Sequence, residues 1–409
     1  MSIYADVASA NPVLKEHYDG QAVQKATYTD NPVLMLLPKN ESGAGGKYYP
    51  VPIKYENSMG RSAVFATAQA NQTANAFAEF LVTRKLDYSI ATIQNELLLA
   101  AMSDRDTFDR EVVQPIDGAI EAATLSTASA IFRDGTGTIG TIATGGITAG
   151  VITLTNPADV AQFSIGMTLQ ANSTSGGTPR AAFGYVIARS IRNGTVTVAS
   201  SGQGGAAGSP TSWTAGDSLL VSGDNNAKPS GFQAWLPMTD PTSSDNFYGV
   251  NRSVDYRLFG IQYDGSGQPI EEALVDHSML IAREGGAPDY FFTNFGSQAA
   301  LVKALGTRRQ YVDIKGPADI GFRALEVDTA SGPIKVLADR SCQAARGFMV
   351  RLGTWSLISL GPVPQILRYE DRVEMLRVYN ADAAEARIAS YYNLICRNPV
   401  RNGQTLLSQ

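Results

Sequence analysis

Two stretches near the start of the chain alternate between apolar and polar positions with a period of two. Tyr49, Val51, Ile53 and Tyr55 alternate with Tyr48, Pro50, Pro52 and Lys54. Downstream, Phe80, Val82, Leu86, Tyr88 and Ile90 alternate with Thr83, Lys85, Asp87 and Ser89. That period predicts two β-strands, and the two prolines confine the first to a sheet edge. Between them, residues 56–78 form an Ala/Asn/Gln/Thr-rich stretch longer than a compact domain normally carries without a use for it. A two-stranded ribbon is marginal alone in water, so its apolar face must be covered by another part of the chain or by another copy. A projecting arm of this kind is suited to clasping a neighbouring subunit.

The period then changes. Val112, Val113, Ile116, Ile120 and Ala123 recur at helical spacing, which predicts one long helix over Ser103–Arg133. Ser103 caps its start with Asp106 reaching back, and Arg105 with Asp109, like Asp106 with Arg110, sit four apart and pair across one turn. The acids there read as dipole-favoured first-turn residues and not as a metal cluster. Pro115 should kink the helix. A second helix is predicted over Gln268–Glu284, with Glu271, Glu272 and Asp276 crowding its start, and a short one over Ser297–Leu305. Strands are predicted at Asp289–Phe295, Phe322–Asp328, Ile334–Ala338, Phe348–Leu352, Trp355–Leu360 and Ala386–Cys396, an α+β pattern without regular βαβ alternation.

Between the helices, short apolar runs at Val151–Thr155, Ala182–Ile191, Thr195–Ala199 and Ser218–Ser222 are separated by clusters of Gly, Asn, Ser and Pro. These predict a small all-β sandwich or barrel inserted over residues 135–225. Charge sharpens this boundary. Only 17% of the 409 residues are charged, below the roughly 25% of an ordinary soluble domain. The deficit is concentrated in residues 135–225, whose charges are Arg180, Arg189, Arg192, Asp159, Asp217 and Asp224. The net charge of −5 excludes a broadly basic nucleic-acid binder, and 44% apolar content excludes an intrinsically disordered chain. No apolar run approaches the ~18 residues needed to span a bilayer, so no membrane partner is expected. The N-terminal residues show no basic region of a secretory signal.

Candidate chemistry is sparse. Cys342 and Cys396 share no motif spacing and are expected as free core thiols; His17 and His277 are the two histidines, and His277 falls in a helical pattern as a structural residue. No zinc-ligand spacing is present. Gly135, Gly137 and Gly140 spell GxGxxG, but a helix precedes and a Gly/Thr β segment follows, the reverse of a dinucleotide site. GAGGK at residues 43–47 has Glu41 where a phosphate-binding loop needs glycine. Glu370 and Glu374 form a carboxylate pair of the kind glycosidases use, though such pairs are commoner on solvated faces. No catalytic set emerges, and neither a cofactor nor a metal is expected.

The order of parts resembles the major capsid proteins of tailed bacteriophages, the Hong Kong phage-type fold. The resemblance is carried by GGKYYPVPIKYENSMGRSA, IATIQNELLLAAMSDRDTFDREVV, YDGSGQPIEEALVDHSMLIAREGGAPDYFFTNF and VKALGTRRQYVDIKGPADIGFRALEV, with DRSCQAARGFMVRLGTWSLISLG and YYNLICRNP adding to it. It implies an N-terminal arm (1–45), an extended hairpin loop (46–93), a spine helix of a peripheral domain (94–134), a β-rich insertion domain (135–225), a continuation of the peripheral domain (226–288), an axial domain (289–365) and a C-terminal return (366–409). It further implies hexamers and pentamers of the chain forming an icosahedral shell around double-stranded DNA, a portal protein as partner, and separate scaffolding or decoration proteins. Such a shell would be assembled in the bacterial cytoplasm. Contacts between subunits are expected from Lys54, Arg61, Phe65, Phe77, Phe80, Arg84 and Lys85 on the arm, with Arg105, Asp106, Asp109 and Arg110 pairing along the spine helix. Residues 96–134 hold 3 basic and 8 acidic residues, 226–285 hold 4 and 8, and 286–365 hold 9 and 6. That is a division suited to complementary contacts around a ring, and the acidic helices are expected to keep DNA from adhering to the wall. A β-rich carbohydrate-binding protein and a carboxylate-dependent hydrolase are the alternatives from other classes.

Overall fold

The computed structural model describes residues 31–41, 45–96, 113–202, 204–306, 310–315, 321–368 and 375–408. The long helix is seen over Gln114–Phe132. Pro115 falls two residues into the described part of the helix, so the expected kink lies at the edge of the described residues. Val113 before it keeps helical angles, φ −71° and ψ −48°. Arg105, Asp106, Asp109 and Arg110 lie outside the described residues. Ile116, Ile120 and Ala123 bury one stripe of the helix in a cluster with Ala91, Ile93, Ala384, Ala386 and Ile388. Its last turn enters the main core, where the Phe132 ring sits 5.7 Å from Phe232 and 5.9 Å from Phe348.

The strands under that helix correct the sequence reading of the arm. The alternation from Phe80 to Ile90 reads as one strand but forms two. Ala76–Val82 pairs antiparallel with Tyr49–Glu56. Lys85–Gln94 instead joins the C-terminal strand Ala383–Cys396, in register from Gln94 opposite Ala383 to Lys85 opposite Tyr392. The break falls at Thr83–Arg84, where the Asn393 Nδ2 donates to the Thr83 carbonyl at 2.6 Å. A period of two persists through such a crossover, so pattern alone does not reveal it. Trp355–Ser359 lies along the same C-terminal strand, with Lys39–Asn40 beyond it in parallel.

A second sheet of seven strands runs in the order Ile261–Gly265, Gly403–Leu407, Arg346–Val350, Tyr290–Thr293, Gly332–Ala338, Gly321–Thr329 and Gln310–Lys315. The amphipathic helix Ile270–Arg283 packs on it, placing Ile270, Ala273, Leu274 and Ile281 in one cluster with Phe291, Val336 and Met349. The packing therefore joins Ile261–Gly265 and this helix, from one side of the 288/289 boundary, to strands from the other side and from the C-terminal return. It also sends Trp355–Ser359 to the sheet under the long helix. Gly403–Leu407 went unpredicted because Gly-Gln-Thr carries no strand signature; a side chain at Gly403 would collide with the His277 ring.

Residues 138–221 form a closed antiparallel barrel, ordered Ser218–Val221, Thr138–Thr148, Val151–Leu154, Thr195–Ala199, Pro179–Ser190 and Thr168–Asn172. The four predicted runs are all strands; the other two, rich in Thr, Gly and Asn, lack the apolar contrast that marks a strand. The barrel has its own core of Ile142, Ile152, Phe163, Leu169, Val186, Val198 and Leu219 among others. Both of its connections to the body are tied down. At the entry, the buried Arg133 donates to the Thr138 and Ile139 carbonyls at 2.8 and 3.0 Å. At the exit, Lys228 Nζ lies 2.8 Å from Asp87 and 3.1 Å from Asp224, and donates to Ser126 on the long helix at 2.7 Å. Burial works against the Lys228 charge, but the two carboxylates outweigh it and hold the ammonium above its ordinary pKa.

Candidate assembly surfaces

The arm is divided along its length into a base that this chain covers and a tip that it does not. At the base, Val51, Ile53, Phe80 and Val82 are buried in the main core. The Phe80 ring lies 5.2 Å from Trp235 and 6.1 Å from Phe247. Arg257 donates to the Tyr55 carbonyl at 2.6 Å, and the Leu81 amide to the Tyr248 carbonyl at 3.1 Å. Beyond Glu56 the chain is held to itself. The Thr73 amide donates to the Met59 carbonyl at 2.6 Å, Met59 N to Thr73 Oγ1 at 2.8 Å, and Ser58 N to Asn75 Oδ1 at 2.8 Å. A short helix, Phe65–Ala70, fills the stretch that reads as irregular in the sequence.

The residues expected to touch a neighbour separate along this division. Lys54 and Arg61 are exposed, as are Phe65 at 82% and Phe77 at 64%. Met59 and Val64, also exposed, extend the apolar tip. Phe80 is a correction: it is fully buried beneath Trp235 and is a core residue of its own subunit. Lys85 is half-buried and donates to the Asn226 carbonyl at 2.9 Å, and burial lowers its pKa. It therefore fastens the barrel's exit to the sheet. Arg84 is half-buried with contacts of its own.

A second surface comes from the strand that changed partners. On Lys85–Gln94, Asp87, Ser89, Ala91 and Ile93 turn toward the chain's interior, while Leu86, Tyr88 and Ile90 face outward, each more than half exposed. Tyr88 meets Tyr391 edge-on at 6.0 Å. These apolar residues were legible in the sequence as a stripe; that it faces out, opposite the helix, was not.

The side chains with chemical potential are dispersed. His277 is buried, stacked on Tyr263, with Nε2 3.3 Å from the Ile261 carbonyl, and burial lowers its pKa to about 4. Cys342 and Cys396 are buried free thiols. Gly135 and Gly137 make the turn from helix to barrel at φ +89° and +84°; a Cβ on Gly137 would fall 2.5 Å from the Asp224 carbonyl oxygen. Close backbone approach, not phosphate binding, accounts for that glycine. Glu370 and Glu374 lie outside the described residues. Among the described residues no group of three or more His, Cys, Asp or Glu converges, and no helix is long and apolar enough to cross a membrane.

No protein-family profile matches the sequence, and no curated protein does. The fold, however, matches solved structures. A chain of the cyanophage A-1(L) capsid asymmetric unit aligns over 93% of this chain and 92% of its own, with a TM-score of 0.52 at 11% identity. At that coverage the two chains share a fold, the Hong Kong phage-type capsid fold. Looser alignments, too loose to carry weight, are found with the capsid of a native GTA particle (TM-score 0.43, 9% identity, 93% and 91% coverage) and with an encapsulin complex from Synechococcus elongatus (0.43, 8%, 91% and 86%).

Proposed function

We propose that this chain is the shell-forming subunit of a tailed-phage capsid, packing with copies of itself into hexamers and pentamers around double-stranded DNA. One observation carries the reading: a capsid-type fold along nearly the whole chain ends in a pinned arm whose apolar tip this chain leaves uncovered. Phe65, Phe77, Met59 and Val64 on one copy would bury against a neighbour, and the outward Leu86, Tyr88 and Ile90 stripe supplies a second apolar surface for shell contacts. Burial of several large side chains at ~1.5–3 kcal/mol each is enough to matter when multiplied around a ring. The seven-stranded sheet, with the helices Ile270–Arg283 and Phe295–Leu305 packed on it, is read as the axial domain and the sheet under the long helix as the peripheral one. The barrel is read as an insertion on the shell's outer face. Deleting residues 57–76 tests this: the variant should remain a folded monomer by circular dichroism and light scattering, while the intact chain forms closed shells or rings under the electron microscope. An intact chain that stays monomeric at high concentration would sink the reading.

A further inference from the structure

The barrel's charges do not cancel at its surface. Asp217 is buried and takes the Arg180 guanidinium at 2.8 Å; Asp224 pairs with Lys228 at 3.1 Å; Asp159 is buried 3.9 Å from Arg133. All three of the barrel's carboxylates are thus turned inward or to the body, and residues 135–225 contain no glutamate, lysine or histidine. What the barrel shows to solvent is Arg189 and Arg192, both exposed. They lie at one end, on the hairpin joining Pro179–Ser190 to Thr195–Ala199. Arg189 stands near the end of that strand, and Ile191 and Arg192 follow it in the turn that leads to the next. Arg189 reaches the Phe163 carbonyl at 2.5 Å, beside the loop in which the Gly166 amide bonds to the Val186 carbonyl. Ile165 in that loop is 68% exposed and Ile191 67%. Two uncompensated guanidinium groups are therefore flanked by two bare isoleucines on an otherwise neutral module.

We infer that this end of the barrel is a docking surface for an acidic protein segment that seats aliphatic side chains between the two isoleucines. Two arginines are too few to hold nucleic acid, whose affinity comes from neutralising many phosphates. Isoleucine offers no aromatic face on which a sugar ring would stack, whereas arginine beside an apolar anchor is the common composition of a protein interface core. Two copies meeting through the same patch would oppose like charges, which disfavours self-pairing. The patch belongs to the folded chain and does not depend on shell formation.

The test uses the full chain and a synthetic peptide of repeated Glu-Glu-Leu, with a Lys-Lys-Leu peptide, heparin and duplex DNA as the other probes. The acidic peptide should bind with an affinity that falls as salt rises. Arg189→Glu with Arg192→Glu should weaken it by about tenfold or more and create affinity for the basic peptide. Ile165→Ser with Ile191→Ser should weaken it several-fold. Absent peptide binding, or binding untouched by the charge reversal, overturns the inference. Full displacement by heparin or DNA also overturns it, since the site would then be a general polyanion patch. Loss of oligomer formation on charge reversal overturns it in favour of a contact between copies.

Discussion

The barrel and the arm solve the same problem, a β-sheet's apolar face, in opposite ways. The barrel closes on itself and fills its interior with its own Phe163, Leu169, Val186 and Leu219. The arm has two strands and no partner sheet, so its base takes Trp235 and Phe247 from the body, and its tip shows Phe65 and Phe77 to solvent. Closure removes sheet edges and makes a module self-sufficient; an open ribbon depends on whatever covers it. A self-contained module can be inserted without altering the body, whereas an open one ties its subunit to something outside.

The largest expected effects test where each core belongs. Phe80→Ala should cost about 3–5 kcal/mol, and because Phe80 lies in the main core the loss should appear in unfolding of the body. Phe163→Ala removes a ring of the same size and should cost a similar amount, confined to the barrel. Hydrogen exchange resolved by segment checks both, and a Phe163→Ala effect spreading into the seven-stranded sheet would break the comparison.

A pH series gives the next effect. The barrel has no histidine, whereas the body buries His277 with its pKa lowered to about 4 and Asp339 with its carboxyl pushed up to about 6, both by burial. Below pH 6.5 an unfolded His277 takes up a proton that the folded chain refuses, so its contribution is lost as pH falls toward 4. Asp339 works the other way, its folded form holding a proton from about pH 6 down to 3.8. The two offset between pH 6 and 4, leaving a loss of about 0.7 kcal/mol between pH 6.5 and 6, at ~1.4 kcal/mol per pKa unit. Asp339→Asn should uncover the full His277 effect, about 3.5 kcal/mol from pH 6.5 to 4. Denaturant midpoints of the Asp339→Asn variant measured across that range should fall for the body, whereas the barrel, without a histidine and with its Asp159 and Asp224 carboxyls raised by burial, should show no comparable fall.

The smallest effect is on stability alone. Phe65→Ser at the tip should change monomer stability by no more than ~0.5 kcal/mol, as exposed substitutions do, while reducing shell yield seen by electron microscopy. A monomer destabilised as much as by Phe80→Ala would show that the tip packs within its own subunit.

Much of this division was legible in residue patterns. The low-charge insert, the ribbon's period of two and the amphipathic Ile270–Arg283 all follow from local alternation. The arm's tip residues were identifiable because large apolar side chains stood in a polar stretch, but Phe80 belonged to the same pattern and proved to be core. Spacing distinguishes faces of a strand; it does not say which face meets the rest of the chain.

The sequence by itself determined that residues 135–225 form a neutral β module, that a ribbon precedes the long helix, and that no catalytic constellation is spelled out. These are local matters of period, turn residues and charge. The tertiary structure alone decided that the ribbon's second strand divides at Thr83–Arg84 and delivers Lys85–Gln94 to the C-terminal strand. It alone decided that Gly403–Leu407 completes the seven-stranded sheet, and that the barrel's three aspartates turn away from solvent while Arg189 and Arg192 do not. Each joins residues far apart in the chain, and pairing at that range depends on which edges and charges folding brings together.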